Sequence, residues 1–330
     1  MQSEVLPCCA FFSPSLNKKH ITKEEINNRI KRGDTVFPWN DNYSPESIHT
    51  PSHLELLEEY DIPYIIDIHS HFFLEVVMKL IWKWFDSVKW GISYRLNAEE
   101  SLEFLDKNQI RFYTTLNYAH KPKMAEWLNE WTYSNFNKWK GAIPFGTFYP
   151  EEDVFEYVKK AVEVYGFKGF KLHCEVAKLN LNRIELAETF YYLQEKSLPI
   201  VIHSGHAPLP GEFTGIHYFA EFMEKFPDLN VIVAHMGAYE IYEYSRLLSI
   251  YPKMKLDTTM VFVDFLATGE DSQEFLPLLD MYSEKILFGS DFPNIPYVLS
   301  HPIKKLLRAN LSRDTKKKIF YENAANLFSL

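Results

Sequence analysis

Tyr64-Ile65-Ile66-Asp67-Ile68 runs into His69-Ser70-His71, a short β-rich segment that stops on two histidines one residue apart. The same construction recurs downstream. Phe170-Lys171-Leu172 ends on His173, Pro199-Ile200-Val201-Ile202 on His203, Val231-Ile232-Val233-Ala234 on His235, and Ile286-Leu287-Phe288-Gly289-Ser290 on Asp291. Short apolar runs rich in β-branched residues read as strands. They are predicted at Tyr64–Ile68, Arg111–Leu116, Ile143–Phe148, Phe167–Leu172, Ile200–Ile202, Val231–Val233, Lys255–Thr258 and Ile286–Phe288. Helical spacing fills the intervals, as in Glu126–Trp139, Glu152–Tyr165, Arg183–Lys196, His217–Phe226, Tyr239–Ile250 and Gln273–Ser283. Strands separated by helix-length segments pair in parallel through crossovers. Eight such units over roughly 270 residues fit a (β/α)8 barrel, whose usual length is about 250. A doubly wound open sheet competes, but no G-x-G-x-x-G follows the first run. The expected fold is an α/β (β/α)8 TIM barrel over 61–330 behind an N-terminal extension, 1–60. That extension is polar and turn-rich around Asp41-Asn42-Tyr43-Ser44-Pro45, with short helices predicted at Lys23–Arg32 and His53–Glu59.

With 46% hydrophobic and 24% charged residues in 330, the chain has the balance of a folded domain with a large core. Its net charge is −9, and its Lys316-Lys317-Lys318 run is too short for a phosphate-binding face, so no nucleic-acid partner is expected. Cys8, Cys9 and Cys174 cannot build a disulfide framework, which suits a reducing compartment. The N-terminus lacks a basic region before an apolar one. The longest apolar region, Phe72–Trp84, is interrupted by Glu75, Lys79 and Lys83 and has the spacing of an amphipathic helix rather than a membrane span. The expectation is a cytoplasmic protein with a small-molecule substrate and no membrane partner, as a homodimer or other homo-oligomer.

The strand-end histidines and Asp291 all fall at the carboxyl ends of predicted strands, the rim where barrel enzymes place their chemistry. Residues two apart on a strand face the same way, so His69 and His71 can both point into the mouth. Converging imidazoles and a carboxylate form the ligand set of a divalent ion, most simply Zn2+, that keeps an open coordination position.

Ile68-His69-Ser70-His71, Gly169-Phe170-Lys171-Leu172-His173, Val201-Ile202-His203-Ser204-Gly205, Val233-Ala234-His235-Met236-Gly237 and Leu287-Phe288-Gly289-Ser290-Asp291-Phe292-Pro293 resemble the amidohydrolase superfamily. The branch they look most like is the amidohydrolase-related group that includes aminocarboxymuconate-semialdehyde decarboxylase. The resemblance covers about residues 62–330 and implies a metal-dependent (β/α)8 barrel. It implies that His69, His71, His203 and Asp291 ligate the metal and that His235 acts on substrate or metal-bound water. One ion is expected. Lys171 lies in a context similar to the lysine that, when carboxylated, bridges two ions in binuclear relatives. It would then bring a second ion, and His173 is either a ligand of that ion or a substrate-pocket residue beside a single one. Otherwise Lys171 pairs with a neighbour such as Glu175.

The main expectation is hydrolysis of a C–N or C–O bond by a metal-activated water, with Asp291 as general base. The alternative is non-oxidative decarboxylation of a small unsaturated or aromatic carboxylate. A catalytically silent, metal-stabilised binding barrel is the reading of another class. Arg95 is a candidate for holding a carboxylate, against a plain surface role. His120 and Tyr118, after the second strand, and Asn294 are further pocket candidates, whereas Cys174 is expected to pack away from the lumen.

Overall fold

Every predicted strand forms, and their register closes a barrel. The computed structural model describes residues 53–88, 90–208, 210–263 and 272–330. The predicted helix Lys23–Arg32, Cys8, Cys9 and the rest of the extension before residue 53 lie outside them. The strands are β1 (Ile65–Asp67), β2 (Ile110–Thr114), β3 (Ala142–Ile143), β4 (Phe145–Thr147), β5 (Gly169–His173), β6 (Ile200–His203), β7 (Val231–Val233), β8 (Lys255–Asp257) and β9 (Ile286–Leu287). They pair in parallel as β1-β2-β3 and β4-β5-β6-β7-β8-β9.

β3 and β4 are halves of one barrel position, split at Pro144, which has no N–H to give a ladder. Hydrogen bonds from Thr115 N to Ile143 O and from Phe145 N to Thr115 Oγ1, each 3.1 Å, carry pairing across the split. The opposite seam is closed by Ile68 N to Phe288 O (3.0 Å), Asp291 N to His69 O (2.8 Å) and His71 N to Phe292 O (2.7 Å). That seam sets the first barrel position, with its two histidines, against the last, with Asp291.

Alternation along the strands splits the apolar residues into two layers. Ile66, Ile68, Leu116, Phe145, Val201, Ile232 and Leu287 fill the barrel. Phe170, Leu172, Ile200, Ile202, Val231, Val233 and Leu256 face the surrounding helices. The helix Val154–Glu163 shows why those helices dock: Val154, Tyr157, Val158 and Ala161 fall at i, i+3, i+4 and i+7, and all four are buried. Each fully buried Val contributes about 1.5–3 kcal/mol. The helix His53–Glu59, assigned to the extension from sequence, buries Leu56 and Leu57 in the same outer layer and lies against the helix Ser300–Arg308. The amphipathic region near Phe72 becomes the helix Glu75–Ser87, which buries Val77 and Met78. Among the described residues no helix is long and apolar enough to cross a membrane.

Candidate active site

Five imidazoles meet at the carboxyl end of the barrel. The His69 ring centroid lies 5.2 Å from that of His71 and 5.1 Å from His235. His235 lies 4.5 Å from His203, which stacks on His173 at 4.0 Å. Backbone turns aim several of these groups. The chain bends at Ile68, so His69 faces the lumen although Ile66 and Ile68 already do. His235 and Met236 have φ of 56° and 51°, and Asp291 has φ of 66°. Left-handed backbone at non-glycine residues is uncommon and is strained for His and Met, so the surrounding structure must hold it. His235 N donates to Asp257 Oδ1 at 2.9 Å, and Asn294 N donates to Asp291 O at 3.1 Å.

His69, His71 and Asp291 offer one ligand atom each within 4.8 Å of one another. Asp291 Oδ1 is 2.7 Å from His71 Nε2 and 3.4 Å from His69 Nε2. Ligand atoms around one ion at about 2.0–2.2 Å sit roughly 3–3.5 Å apart, so the spacing suits a divalent ion. The tautomers suit it too. His69 Nδ1 donates to Asp257 Oδ2 at 2.8 Å, so its Nε2 carries a lone pair turned toward Asp291. His71 has acceptors at both nitrogens, the Leu116 carbonyl (3.3 Å from Nδ1) and Asp291. Lone pairs and an anionic oxygen converging in this way call for a cation.

Burial, with the Lys171 charge, holds His69 down at about 3, so its ring is neutral. Burial works against ionising Asp291, but the hydrogen bond from His71, with His69 and His235 beside it, outweighs this, and the carboxyl lies well below its usual range. Desolvation likewise lowers His173, His203 and His235, leaving all three neutral near pH 7.

Two carboxylates organise the site. Asp257, which lies near the end of the predicted strand Lys255–Thr258 and so at the barrel mouth, holds His69 Nδ1 and accepts N–H bonds from His235 (2.9 Å) and Thr259 (3.1 Å). Burial opposes its ionisation, yet its histidine neighbours hold it at about 2. Asp67 went unremarked in the sequence, and the signal was present: it shares the period-two spacing of His69 and His71. It accepts from His69 N (3.0 Å), Ser290 N (3.1 Å) and Ser290 Oγ, tying the first barrel position to the last. Burial pushes its carboxyl up to about 7. Asp257→Asn is expected to weaken divalent-ion affinity about 10–100-fold with the fold retained, measured by competition against a chelator. Unchanged affinity would remove Asp257 from this role.

The other candidates divide. Lys171 is fully buried, and its Nζ lies 3.2 Å from His69 Nε2. Glu175, its suggested partner, pairs with Lys178 instead. Burial lowers the Lys171 amine to about 8. His203 stands in the ring of imidazoles but outside the three-atom cluster, because its Nε2 donates to Ala207 O at 2.7 Å. That bond leaves Nδ1 with the lone pair a ligand needs. His235 Nδ1 donates to Thr259 O at 3.1 Å, leaving its lone pair on Nε2. Tyr118 sits edge-on to His71 at 5.6 Å and Phe73 at 5.1 Å, and 5.1 Å from His173. Asn294 is buried beside Asp291, and its Oδ1 meets no donor among the described residues.

Arg95 does not fold over the mouth. It is 46% exposed and forms a two-toothed ion pair with Asp86, also exposed, so its charge is already matched at the surface. His120 is exposed rather than part of the imidazole cluster. Cys174 packs in the outer layer, and burial pushes its thiol up to about 12, which makes it inert at neutral pH.

Residues 66–330 match the family model described as Amidohydrolase. No curated protein sequence matches the chain. Among solved structures, an uncharacterised TIM-barrel protein from Bordetella bronchiseptica is similar over 81% of this chain and 98% of its own, with TM-score 0.65 and 15% identity. A 2,6-dihydroxybenzoate decarboxylase from Rhizobium is similar over the same shares, with TM-score 0.62 and 15% identity. A dihydroxybenzoic acid decarboxylase from Polaromonas, solved with manganese and 2-nitroresorcinol, is similar over 81% and 97%, with TM-score 0.58 and 17% identity. At these identities the likeness carries the barrel fold and nothing finer.

Proposed function

The chain belongs to the amidohydrolase family, and from that premise we propose that it is a metal-dependent, non-oxidative decarboxylase of a small aromatic or unsaturated carboxylate. The observation that carries this reading is the wall beside the donor cluster. His71 stacks with Phe73 at 6.0 Å, and Tyr118 stands edge-on to both and beside His173. Rings in these orientations suit a flat π-system held against a cation. The decarboxylases of similar fold, one of them with manganese, support the same class and make Mn2+ as reasonable an ion as Zn2+.

His69, His71 and Asp291 would hold the ion, with His203 Nδ1 as a fourth ligand. When bound, the ion supplies Lewis acidity at a substrate oxygen. One ion is favoured, since the donor atoms of His69, His71 and Asp291 gather in one cluster; Lys171 Nζ, 3.2 Å from His69 Nε2, would give up that lone pair to the ion. His235, fixed by the Thr259 carbonyl, has Nε2 available to take a proton and deliver it to the carbon bearing the carboxylate. As the C–H bond forms and the C–C bond breaks, CO2 leaves and the bonding pair returns to the π-system. Burial lowers the His235 pKa, so the ring rests neutral and takes up a proton from solvent before delivering it.

Hydrolysis is the second reading, favoured by Asp291: its anionic carboxylate lies against the histidine ligands, where a base can take the proton of an attacking water. Metal-loaded protein is expected to release CO2 from a panel of hydroxybenzoates and unsaturated carboxylates, leaving the product one carboxyl short. Acid release from lactones or amides without any CO2 would replace this function with the second reading.

A further inference from the structure

The five imidazoles at the mouth are not equivalent donors. His69, His203 and His235 each give their N–H to a carboxylate or carbonyl, groups that only accept, so the remaining nitrogen of each bears a lone pair. His71 has acceptors at both nitrogens. His173 is the reverse. Its Nδ1 accepts the backbone N–H of Val176 at 3.3 Å, capping the short helix Cys174–Ala177. A backbone amide only donates, so the neutral ring must carry its hydrogen on Nε2, at the edge farthest from the backbone. That N–H has no acceptor among the described residues, while the ring is pinned between His203 at 4.0 Å and Tyr118 at 5.1 Å.

We propose that His173 is a substrate-binding hydrogen-bond donor that grips an anionic oxygen of the ligand, and that it is not a metal ligand. Nε2 is the nitrogen that reaches outward from this ring, and in this tautomer it has no lone pair for an ion. Apart from the Lys171 amine, the cluster is made of lone pairs and carboxylates, so a fixed donor beside the aromatic wall gives a carboxylate or phenolate a defined orientation. A neutral donor does this without adding a further positive charge to those of Lys171 and the metal. The choice of a carboxylate as the anion rests on the decarboxylase reading, whereas the donor assignment rests on the Val176 bond.

The two edges of the ring can be separated by substitution. His173→Asn keeps an acceptor for Val176 N and so keeps the cap, but loses the outward N–H. His173→Gln places an N–H near the position of Nε2. Benzoate binding to metal-loaded protein, followed by calorimetry, is expected to weaken about tenfold or more in His173→Asn, the loss of a hydrogen bond to a charged group. In His173→Gln it is expected to stay within about threefold of the unaltered protein. Metal equivalents per chain are expected to be equal in all three. Unchanged benzoate affinity in His173→Asn, loss of a metal equivalent, or failure of the unaltered protein to bind benzoate overturns the proposal. His173-dependent benzoate binding without CO2 release from any substrate would sink the decarboxylase reading and leave the donor in place.

Discussion

Asp291→Asn is expected to lower turnover by about a thousandfold or more while the protein folds and still takes up metal at high concentration. Asp291 sits at φ 66°, and asparagine is among the residues that best tolerate this backbone, so the substitution removes charge without adding strain. What disappears is the anionic oxygen 2.7 Å from His71 Nε2 and 3.4 Å from His69 Nε2. Under decarboxylation, Asp291 balances the cation and helps hold it. Under hydrolysis it takes the proton of water as well. Turnover measured at saturating Mn2+ and Zn2+, alongside metal content, checks the prediction. Activity within tenfold of the unaltered protein would remove Asp291 from both roles.

Removing the metal should have an effect of comparable size. Dialysis against a strong chelator is expected to bring turnover to background, with recovery on adding a divalent ion. It should also lower the melting midpoint, since a ligand at about a thousandfold above its Kd contributes roughly 4 kcal/mol to the folded state. The stabilisation has a specific origin. Without the ion, the His69 Nε2 lone pair and the Asp291 carboxylate, 3.4 Å apart, face one another across the seam that closes the barrel. His69→Ala is expected to abolish the rise in midpoint on adding metal, measured by calorimetry with and without the ion. A metal-dependent rise as large as that of the unaltered protein would mean that the ion binds elsewhere.

Much of this site is legible in the sequence because barrel topology converts strand order into position. Once eight β-rich runs alternate with helical spacing, residues at their carboxyl ends must share one rim, and His69, His71, His173, His203, His235 and Asp291 do so. Arg95 shows where such reasoning stops. It lies in a segment able to reach the mouth, but Asp86, nine positions away, takes its charge at the surface. Nothing in the local pattern distinguishes the two outcomes. Asp257 is a similar case, since its importance comes from a bond to His69 across 188 positions of sequence.

The order of strands and helices, the layered core and the rim carrying the histidines were determined by the sequence itself, through apolar periodicity, which is a local property of the chain. Tertiary structure alone decided which way the functional groups face and which nitrogen of each imidazole holds the proton. The bend at Ile68 and the left-handed turns at His235 and Asp291 override strand alternation. The partners that fix each tautomer, Asp257 for His69, Thr259 for His235 and Ala207 for His203, are supplied by packing. Periodicity reports whether a residue is buried, whereas hydrogen-bond direction depends on what is buried beside it.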